Sequence, residues 1–204
     1  MAWDTDATRR RLREAALVEF AAHGLDGTSI AAIVERAGVN RERLYSYFGD
    51  KDSLWELVLA TELEKLAAAI RLTGVGLDDV GEFAGATFDY HAAHPELGRL
   101  LQWEGLQHGP AANVDERAVH YREKVERFAR AQESGQLDSA VSPAHLVFAL
   151  IALAAWWQTV PQLAEMITGA SADDADELAL RRTFTVDAAR RMAAPRGPDR
   201  QAAR

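Results

Sequence analysis

Residues 40 to 51 gather side chains that are suited to contacting a nucleic acid. An arginine can donate two hydrogen bonds to O6 and N7 of guanine, a glutamate can accept one from the amino group of cytosine, and a tyrosine can pack on a thymine methyl. Arg41, Glu42 and Tyr45 supply these groups, while Tyr47 and Lys51 suit phosphate oxygens. The alternative is that the charged triplet of residues 41 to 43 only solvates a helix face.

The residues before this stretch predict a short helix and a tight turn. Ile30, Ile33 and Val34 share one face of a helix that can begin at Thr28 or Ser29, whose hydroxyls suit an N-cap. The amides and hydroxyls at such a helix start can also bind phosphate. The helix must end at residue 38, where a glycine tolerates the left-handed backbone of a tight turn.

A second short helix follows the turn. Asn40 can cap it, and Leu44 and Phe48 lie four residues apart, so that both can face inward. The polar and aromatic residues named above, together with Arg43, then occupy faces that include the solvent side. Two short helices joined in this way predict a helix-turn-helix.

The sequence AGVNRERLYSYFGDKDSL of residues 37 to 54 resembles the AGVS-x-x-x-LY-x-YF-x-x-K-x-x-L motif of the TetR family of bacterial transcriptional regulators. The resemblance implies that a first helix, about Thr5 to His23, supports the motif, and that Lys51 anchors the DNA backbone. It does not carry over an operator sequence. Glu42 stands where relatives often have a small residue, and Ala31 stands where some relatives place a side chain that reaches DNA.

Charge and composition limit the possible functions. The net charge is −8, yet residues 1 to 51 hold eight basic and eight acidic side chains, so the acidity lies wholly in residues 52 to 204. The chain has no cysteine, which excludes disulfides and thiolate metal sites. The longest apolar stretch, residues 146 to 157, is shorter than the roughly 20 residues that span a bilayer. We therefore expect a cytoplasmic protein without a membrane segment.

Helical periodicity and capping signals continue from residue 50 to about residue 193, and no alternating pattern of strands interrupts them. The predicted fold is all-α, with a three-helix helix-turn-helix domain in residues 1–50 and a larger helical domain for effector binding and dimerisation in residues 51–194. Residues 195–204 are expected to form a disordered tail. The later helices are predicted over about 52–72, 78–94, 95–106, 111–134, from 142–143 to a kink or restart at Pro161, and 173–193.

One predicted helix, LVFALIALAAWW, is apolar on every face, which means that both sides are covered. A second subunit can cover one of them, and the TetR resemblance implies pairing through the last two helices. The alternative is the central helix of a monomer. The residues predicted at the dimer interface are Leu150, Ile151, Leu178 and Phe184.

Aromatic residues downstream of the helix-turn-helix predict a cavity for a small organic molecule. They lie on helices that, by the resemblance, enclose the effector pocket, and apolar walls with a few polar groups suit such a ligand. Each aromatic taken singly can equally be core. The predicted pocket group is Phe83, Phe88, His91, Trp103, Tyr121, Phe128, Trp156 and Trp157.

Catalytic and metal sites find little support. The chain contains no G-x-S-x-G, no H-E-x-x-H and no G-x-G-x-x-G, and His91-x-x-His94 offers two metal ligands without a third. We expect no cofactor and no enzymatic activity. The predicted function is a homodimeric repressor that leaves its operator DNA when a small organic effector binds. The alternative is a helical small-molecule-binding or enzymatic protein with a vestigial DNA module.

Overall fold

Every regular element in the residues that the computed structural model describes, which are 2–70, 72, 74, 76–107 and 114–195, is an α-helix. The all-α prediction is confirmed. The helices are α1 (Ala2–Gly27), α2 (Ile30–Ala37), α3 (Arg41–Phe48), α4 (Lys51–Ala69), α5 (Leu77–Ala93), α6 (Pro95–Leu106), α7 (Val114–Glu133), α8 (Pro143–Thr159), α9 (Pro161–Thr168) and α10 (Ala175–Ala193).

Proline and glycine set several of these boundaries. Proline stands at the first position of α6, α8 and α9, where its missing N–H costs nothing. At Pro161 a new helix, α9, begins, and it is turned by 84° from α8. The regular part of α1 ends at His23, as predicted, because Gly24 has the non-helical angles φ 68° and ψ −179°; beyond this kink α1 continues to Gly27. Helix α4 ends at Ala69, before the predicted Leu72. The predicted start of the seventh helix at residue 111 and nearly all of the tail lie outside the described residues.

The helices pack as two compact units. The first contains α1 to α4 with α6, and the second contains α5 with α7 to α10. These units are defined by packing, so α6 belongs with the N-terminal helices although α5 separates it from them in the sequence. The predicted domain boundary at residue 50 divides the chain by position along the sequence, which the packing units do not test, so it stays a prediction.

The core of the first unit forms around one stripe of α1. Leu12, Ala16 and Phe20, four residues apart and thus on one helix face, are fully buried, while Leu17 is half-buried. The ring of Trp55 on α4 meets Phe20 edge to face, with centroids 5.2 Å apart. The other buried residues of this core include Ile33, Leu44, Leu54, Leu59, Leu97 and Leu100.

The second unit is built on the close approach of α5 and α10. A Cβ at Gly85 would lie 2.9 Å from a methyl of Val186, so this glycine lets the two helices approach, whereas a Cβ at Gly81 would lie 2.7 Å from Nε of the flexible Arg190 side chain. Arg182 on α10 donates to both carboxylate oxygens of Asp89 at 2.8 Å. Helix α8 packs against the pair with Leu146, Val147, Leu150 and Ala154.

Helix α8 is the most apolar of the described helices, and α9 follows it directly. In the part of the chain that the structure describes, no single helix is both long and apolar enough to cross a bilayer, and these two pass that test only as a bent pair.

Candidate nucleic-acid interface

Helix α3 is fixed at its start and on its inner face, so that its other faces point outward. The side chain of Asn40 accepts a hydrogen bond from the N–H of Arg43 at 3.0 Å, which is the predicted N-cap. Leu44 is fully buried and holds the helix against the unit. Arg41, Glu42 and Arg43 are therefore all exposed, as a helix that reads base edges requires.

The turn before α3 uses the predicted glycine. Gly38 has φ 62° and ψ 40°, and its N–H donates to the carbonyl of Glu35 at 3.1 Å. The next N–H, that of Val39, donates to the carbonyl of Val34 at 3.0 Å. A left-handed glycine with these bonds ends α2 in a fixed direction.

Arg41 and Tyr45 support one another on the exposed surface of α3. The guanidinium of Arg41 donates to the Tyr45 hydroxyl at 3.0 Å and lies 5.5 Å from the ring centroid. Because a guanidinium has five N–H donors, the contact leaves donors free for a base or phosphate. The two side chains thus lie together on the surface that would face a nucleic acid.

Tyr47 links α3 to the basic start of α1. The Arg9 guanidinium lies 5.0 Å from the centroid of the half-buried Tyr47 ring, and that ring meets Phe48 edge to face at 6.2 Å. Sequence reasoning missed this pairing. The arginines at positions 9, 10, 11 and 13 were a visible signal, but only the fold brings one of them to α3.

Lys51, Thr28 and Ser29 meet at the starts of α2 and α4. The Lys51 ammonium donates to the carbonyl of Thr28 at 3.0 Å. Ser29 is exposed and caps α2, since its hydroxyl accepts from the N–H of Ala32 at 3.1 Å. The Thr28 hydroxyl is buried and donates to the carbonyls of Gly24 and Glu19, at 2.6 and 3.1 Å. Its side chain therefore points into the unit.

A second polar contact joins α1 to α2. Glu19 is buried, and its carboxylate accepts from Nε of Arg36 at 2.6 Å. His23 lies 3.9 Å from the same carboxylate. Removing Arg36 would leave a largely buried acid without its ion pair, so this contact contributes to the orientation of α2.

The residues of the predicted effector pocket do not form one group. Phe83, Phe88, His91 and Phe128 are buried in the second unit, whereas Trp103 belongs to the first. On α7, Tyr121 is exposed and has the Lys124 ammonium 5.9 Å from its ring centroid. Partial burial lowers the pKa of Lys124, and repulsion from Arg127 adds to this, while attraction to Glu123 opposes it in part.

Trp156 and Trp157 line a concavity at the bend between α8 and α9. Its volume is about 350 Å³, and the residues around it are Ala152, Leu153, Trp156, Trp157, Val160, Leu163, Ala164 and Ile167. Trp157 is held from two sides: its indole N–H donates to the Thr185 hydroxyl at 3.2 Å, and the Arg181 guanidinium lies 5.3 Å from the ring centroid. Among the residues that the structure describes, those lining this concavity are all uncharged, which suits a neutral ligand.

Arg181 also connects α10 to the end of α9. It is only 3% exposed, and Nε donates to Glu177 at 2.7 Å. Nη2 donates to the Thr168 hydroxyl at 3.2 Å and to the Ala170 carbonyl at 3.1 Å. These bonds hold α9 at its angle to α8.

A smaller and more polar cleft of about 270 Å³ lies between α1 and α6 in the first unit. Its walls include His23, Asp26, Trp103 and Gln107. The side-chain Nε2 of Gln107 is buried without a hydrogen-bond acceptor among the described residues.

The predicted dimer residues differ in accessibility. Leu150 is 0% exposed and belongs to the core of the second unit, so its side chain is not available to another chain. Ile151 and Leu178 are half-buried, while Phe184 is exposed and meets Trp157 edge to face at 6.1 Å. The most exposed apolar side chain of α8 is Phe148, at 74%. Sequence reasoning missed it, because an all-apolar helix does not reveal its inner face.

Metal ligands do not gather in the described part of the chain: no group of three or more His, Asp or Glu side chains is placed to hold an ion. Of the histidine pair considered above, His91 is buried and His94 exposed.

Comparison with known proteins gives consistent matches to both parts of the chain. Residues 12–58 match the family described as "Bacterial regulatory proteins, tetR family". Residues 79–191 match the description "Tetracyclin repressor-like, C-terminal domain".

Two curated relatives match over most of their length. The HTH-type transcriptional repressor SCO4008 of Streptomyces coelicolor is 39% identical over 168 residues, which cover 81% of this chain and 86% of that protein. The HTH-type transcriptional regulator RutR of Escherichia coli is 29% identical over 175 residues, 82% of each.

Solved structures share the architecture. SCO4942 from Streptomyces coelicolor superposes with a TM-score of 0.78 at 31% identity, covering 91% of this chain and 98% of that one. A regulator from Marinobacter aquaeolei VT8 gives a TM-score of 0.71 at 19% identity over 96% of this chain and 100% of that one, which shows the fold alone.

Proposed function

Because this chain belongs to the TetR family of helix-turn-helix transcriptional regulators, which are not enzymes, we propose that it is a repressor that binds operator DNA as a homodimer and leaves it when a small organic effector binds. The observation that carries the DNA-binding part is α3. It is capped by Asn40, anchored by Leu44, and presents Arg41, Glu42 and Arg43 to solvent. The repressor assignment draws support from the relative named as a repressor.

The proposed division of labour at the interface follows from the geometry. Arg41 and Tyr45 contact base edges, and Lys51 and Tyr47 contact phosphates together with the start of α2 at Ser29. Selection from a genomic DNA pool supplies the operator duplex for the test. Arg41→Ala should then cost about 1–3 kcal/mol chiefly on that duplex, whereas Lys51→Ala should weaken binding to all sequences and reduce the salt slope by about 1.

Equal losses for the two variants on selected and random DNA would refute these roles. Failure of the parent protein to shift any genomic fragment would favour the alternative of a ligand-binding protein with a vestigial DNA module. The same gel-shift experiment therefore separates the two functions.

A homodimer is supported by the exposed apolar side chains of α8 and α10. Phe148, Leu180 and Phe184 are all more than half exposed. Leu180 and Phe184 lie one turn apart on α10, and adjoining exposed apolar side chains mark interaction sites. A homodimer carries two copies of α3, and recognition of consecutive major grooves requires them to lie about 34 Å apart. An effector that changes that distance lowers the affinity for DNA.

We place the effector in the concavity at the α8–α9 bend. Its volume lies near the lower end of the roughly 300–1,000 Å³ typical of small-molecule sites, and its walls are apolar. Trp156 lies eight residues after Phe148, on the same exposed stripe of α8. A ligand on Trp156 is thus placed to affect how two chains pair.

Tryptophan fluorescence tests this site. A neutral aromatic inducer should change the emission of the parent and weaken operator binding, and Trp156→Ala should lose the response but keep the operator affinity. Linkage requires that operator DNA weaken inducer binding by the same factor, typically about 5- to 150-fold. A Trp156→Ala protein that responds as the parent does would place the effector elsewhere.

A further inference from the structure

The end of α1 is interrupted at a glycine. Gly24 has φ 68° and ψ −179°, a conformation that only glycine adopts readily. Three carbonyls near this break accept hydrogen bonds from side chains outside α1: Ala21 from the indole N–H of Trp103 at 3.2 Å, and Gly24 and Glu19 from the Thr28 hydroxyl. The end of α1 is therefore held by α6 on one side and by the start of α2 on the other.

The ring of Trp103 also packs directly on this break. A Cβ at Gly24 would lie 2.9 Å from two atoms of the indole, closer than real contacts allow. Gly24 is thus required twice, once for its backbone angles and once for the approach of the ring. The hydrogen bond and the packing together fix α6 to α1 within the first unit, which also contains α3 and is called the DNA-reading unit below.

The contacts continue to the proposed phosphate anchor. Thr28, whose hydroxyl binds Gly24, accepts the Lys51 ammonium on its carbonyl at 3.0 Å. The next residue, Ser29, begins α2. A displacement of the α1 end therefore moves both the start of α2 and the carbonyl that holds Lys51.

We infer that Trp103 is a positioning residue for DNA binding: it fixes the end of α1 and, through Gly24 and Thr28, the start of α2 and the Lys51 ammonium. This inference rests on the proposed operator binding. It assigns Trp103 to the DNA-reading unit, although the aromatic pattern of the sequence placed it in the effector pocket.

Trp103→Phe tests the inference, because it keeps an aromatic ring on Gly24 and removes the N–H. Since a neutral hydrogen bond is worth a small free energy, the affinity for the selected duplex should fall by about two- to tenfold. The matched control is Thr87→Val on α5 in the second unit, which also removes one buried neutral hydrogen bond, that of the Thr87 hydroxyl to the Phe83 carbonyl at 2.7 Å; it should bind the duplex as the parent does. All proteins are compared at a temperature where circular dichroism shows each one folded.

A double-variant comparison separates positioning from mere stabilisation. If Trp103 acts on Lys51, then Lys51→Ala should weaken DNA binding by a smaller factor in the Trp103→Phe background than in the parent. A structural residue without this link would give factors that multiply. Should Trp103→Phe fail to fold, Thr28→Val interrupts the same path at the hydroxyl and must show the same overlap with Lys51→Ala.

The outcomes are distinct. A parent that binds no duplex overturns the proposed function, and the inference falls with it. A parent that binds, together with a Trp103→Phe protein that melts earlier yet binds with unchanged affinity, overturns the inference alone.

Discussion

Replacing Gly24 by alanine should destabilise the protein by two additive physical effects. The observed φ 68° and ψ −179° fall in a region that side-chain-bearing residues avoid, at a cost of about 1–3 kcal/mol. The new Cβ would also lie 2.9 Å from two indole atoms of Trp103, and overpacking of this kind costs roughly 1–3 kcal/mol. The expected loss in the free energy of unfolding is therefore about 2–6 kcal/mol.

Two other glycines provide matched controls for this experiment. Gly38 also has a positive φ, 62°, but a Cβ there would meet nothing within 4 Å, so Gly38→Ala carries only the backbone strain, about 1–2 kcal/mol. Gly98 lies inside α6 with open space around its Cβ position, so Gly98→Ala should gain up to about 1 kcal/mol.

Urea unfolding followed by circular dichroism measures all three, and thermal melting should move by roughly 2–4 °C per kcal/mol for a chain of this size. The free energy of unfolding should be lowest for Gly24→Ala and should rise through Gly38→Ala and the parent to Gly98→Ala. Removing the indole in a Gly24→Ala, Trp103→Leu protein should relieve the clash, so the double variant should lose less than the sum of the singles. A Gly24→Ala protein as stable as Gly38→Ala would refute the packing argument.

Three further predictions concern the rest of the chain. Phe148→Glu should give a folded protein that sediments as a monomer at micromolar concentration, whereas Leu150→Glu should not fold, because only Leu150→Glu buries a charge. A parent protein that already sediments as a monomer would contradict the proposed interface. Arg181→Leu should lower the free energy of unfolding by roughly 3 kcal/mol, because it leaves the Glu177 carboxylate without its ion pair. Arg182→Ala breaks the exposed pair with Asp89 and should lower it by under about 1 kcal/mol. Similar losses for the two variants would argue against the anchoring role of Arg181. Hydrogen bonds from the Ser53 backbone and side chain lower the pKa of the Asp50 carboxyl from its usual 3.8. The carboxylate, which accepts from the N–H of Ser53 in the first turn of α4, therefore contributes its full stabilisation above pH 3.8, and this contribution is lost as the pH falls through the lowered pKa. A stability difference between parent and Asp50→Ala that persists at lower pH would contradict this prediction.

The sequence predicted the parts of the site that depend on neighbouring residues. Asn40 caps α3, Gly38 turns left-handed and Leu44 faces inward as expected, because capping, turn geometry and helical period act over a few positions. The family motif added Lys51, which lies at the start of α4.

Contacts between distant positions could not be predicted in the same way. Trp103 binds the carbonyl of Ala21, and Arg9 packs on Tyr47, only because separate helices meet. An aromatic residue in a helix does not reveal whether it lines a pocket or supports another element. Likewise, α8 is apolar on every face, so the sequence alone could not distinguish the buried Leu150 from the exposed Phe148.

The bond between Lys51 and the Thr28 carbonyl has an entropic consequence. A free lysine loses up to about 1.5–2 kcal/mol of rotamer entropy when its ammonium is immobilised. Lys51 has already lost that freedom on folding, and one of its three N–H donors is in use, which leaves two for an incoming anion. An anion that meets this ammonium therefore binds a preorganised donor. The loss of side-chain entropy lowers the stability of the fold and does not lower the affinity for the anion.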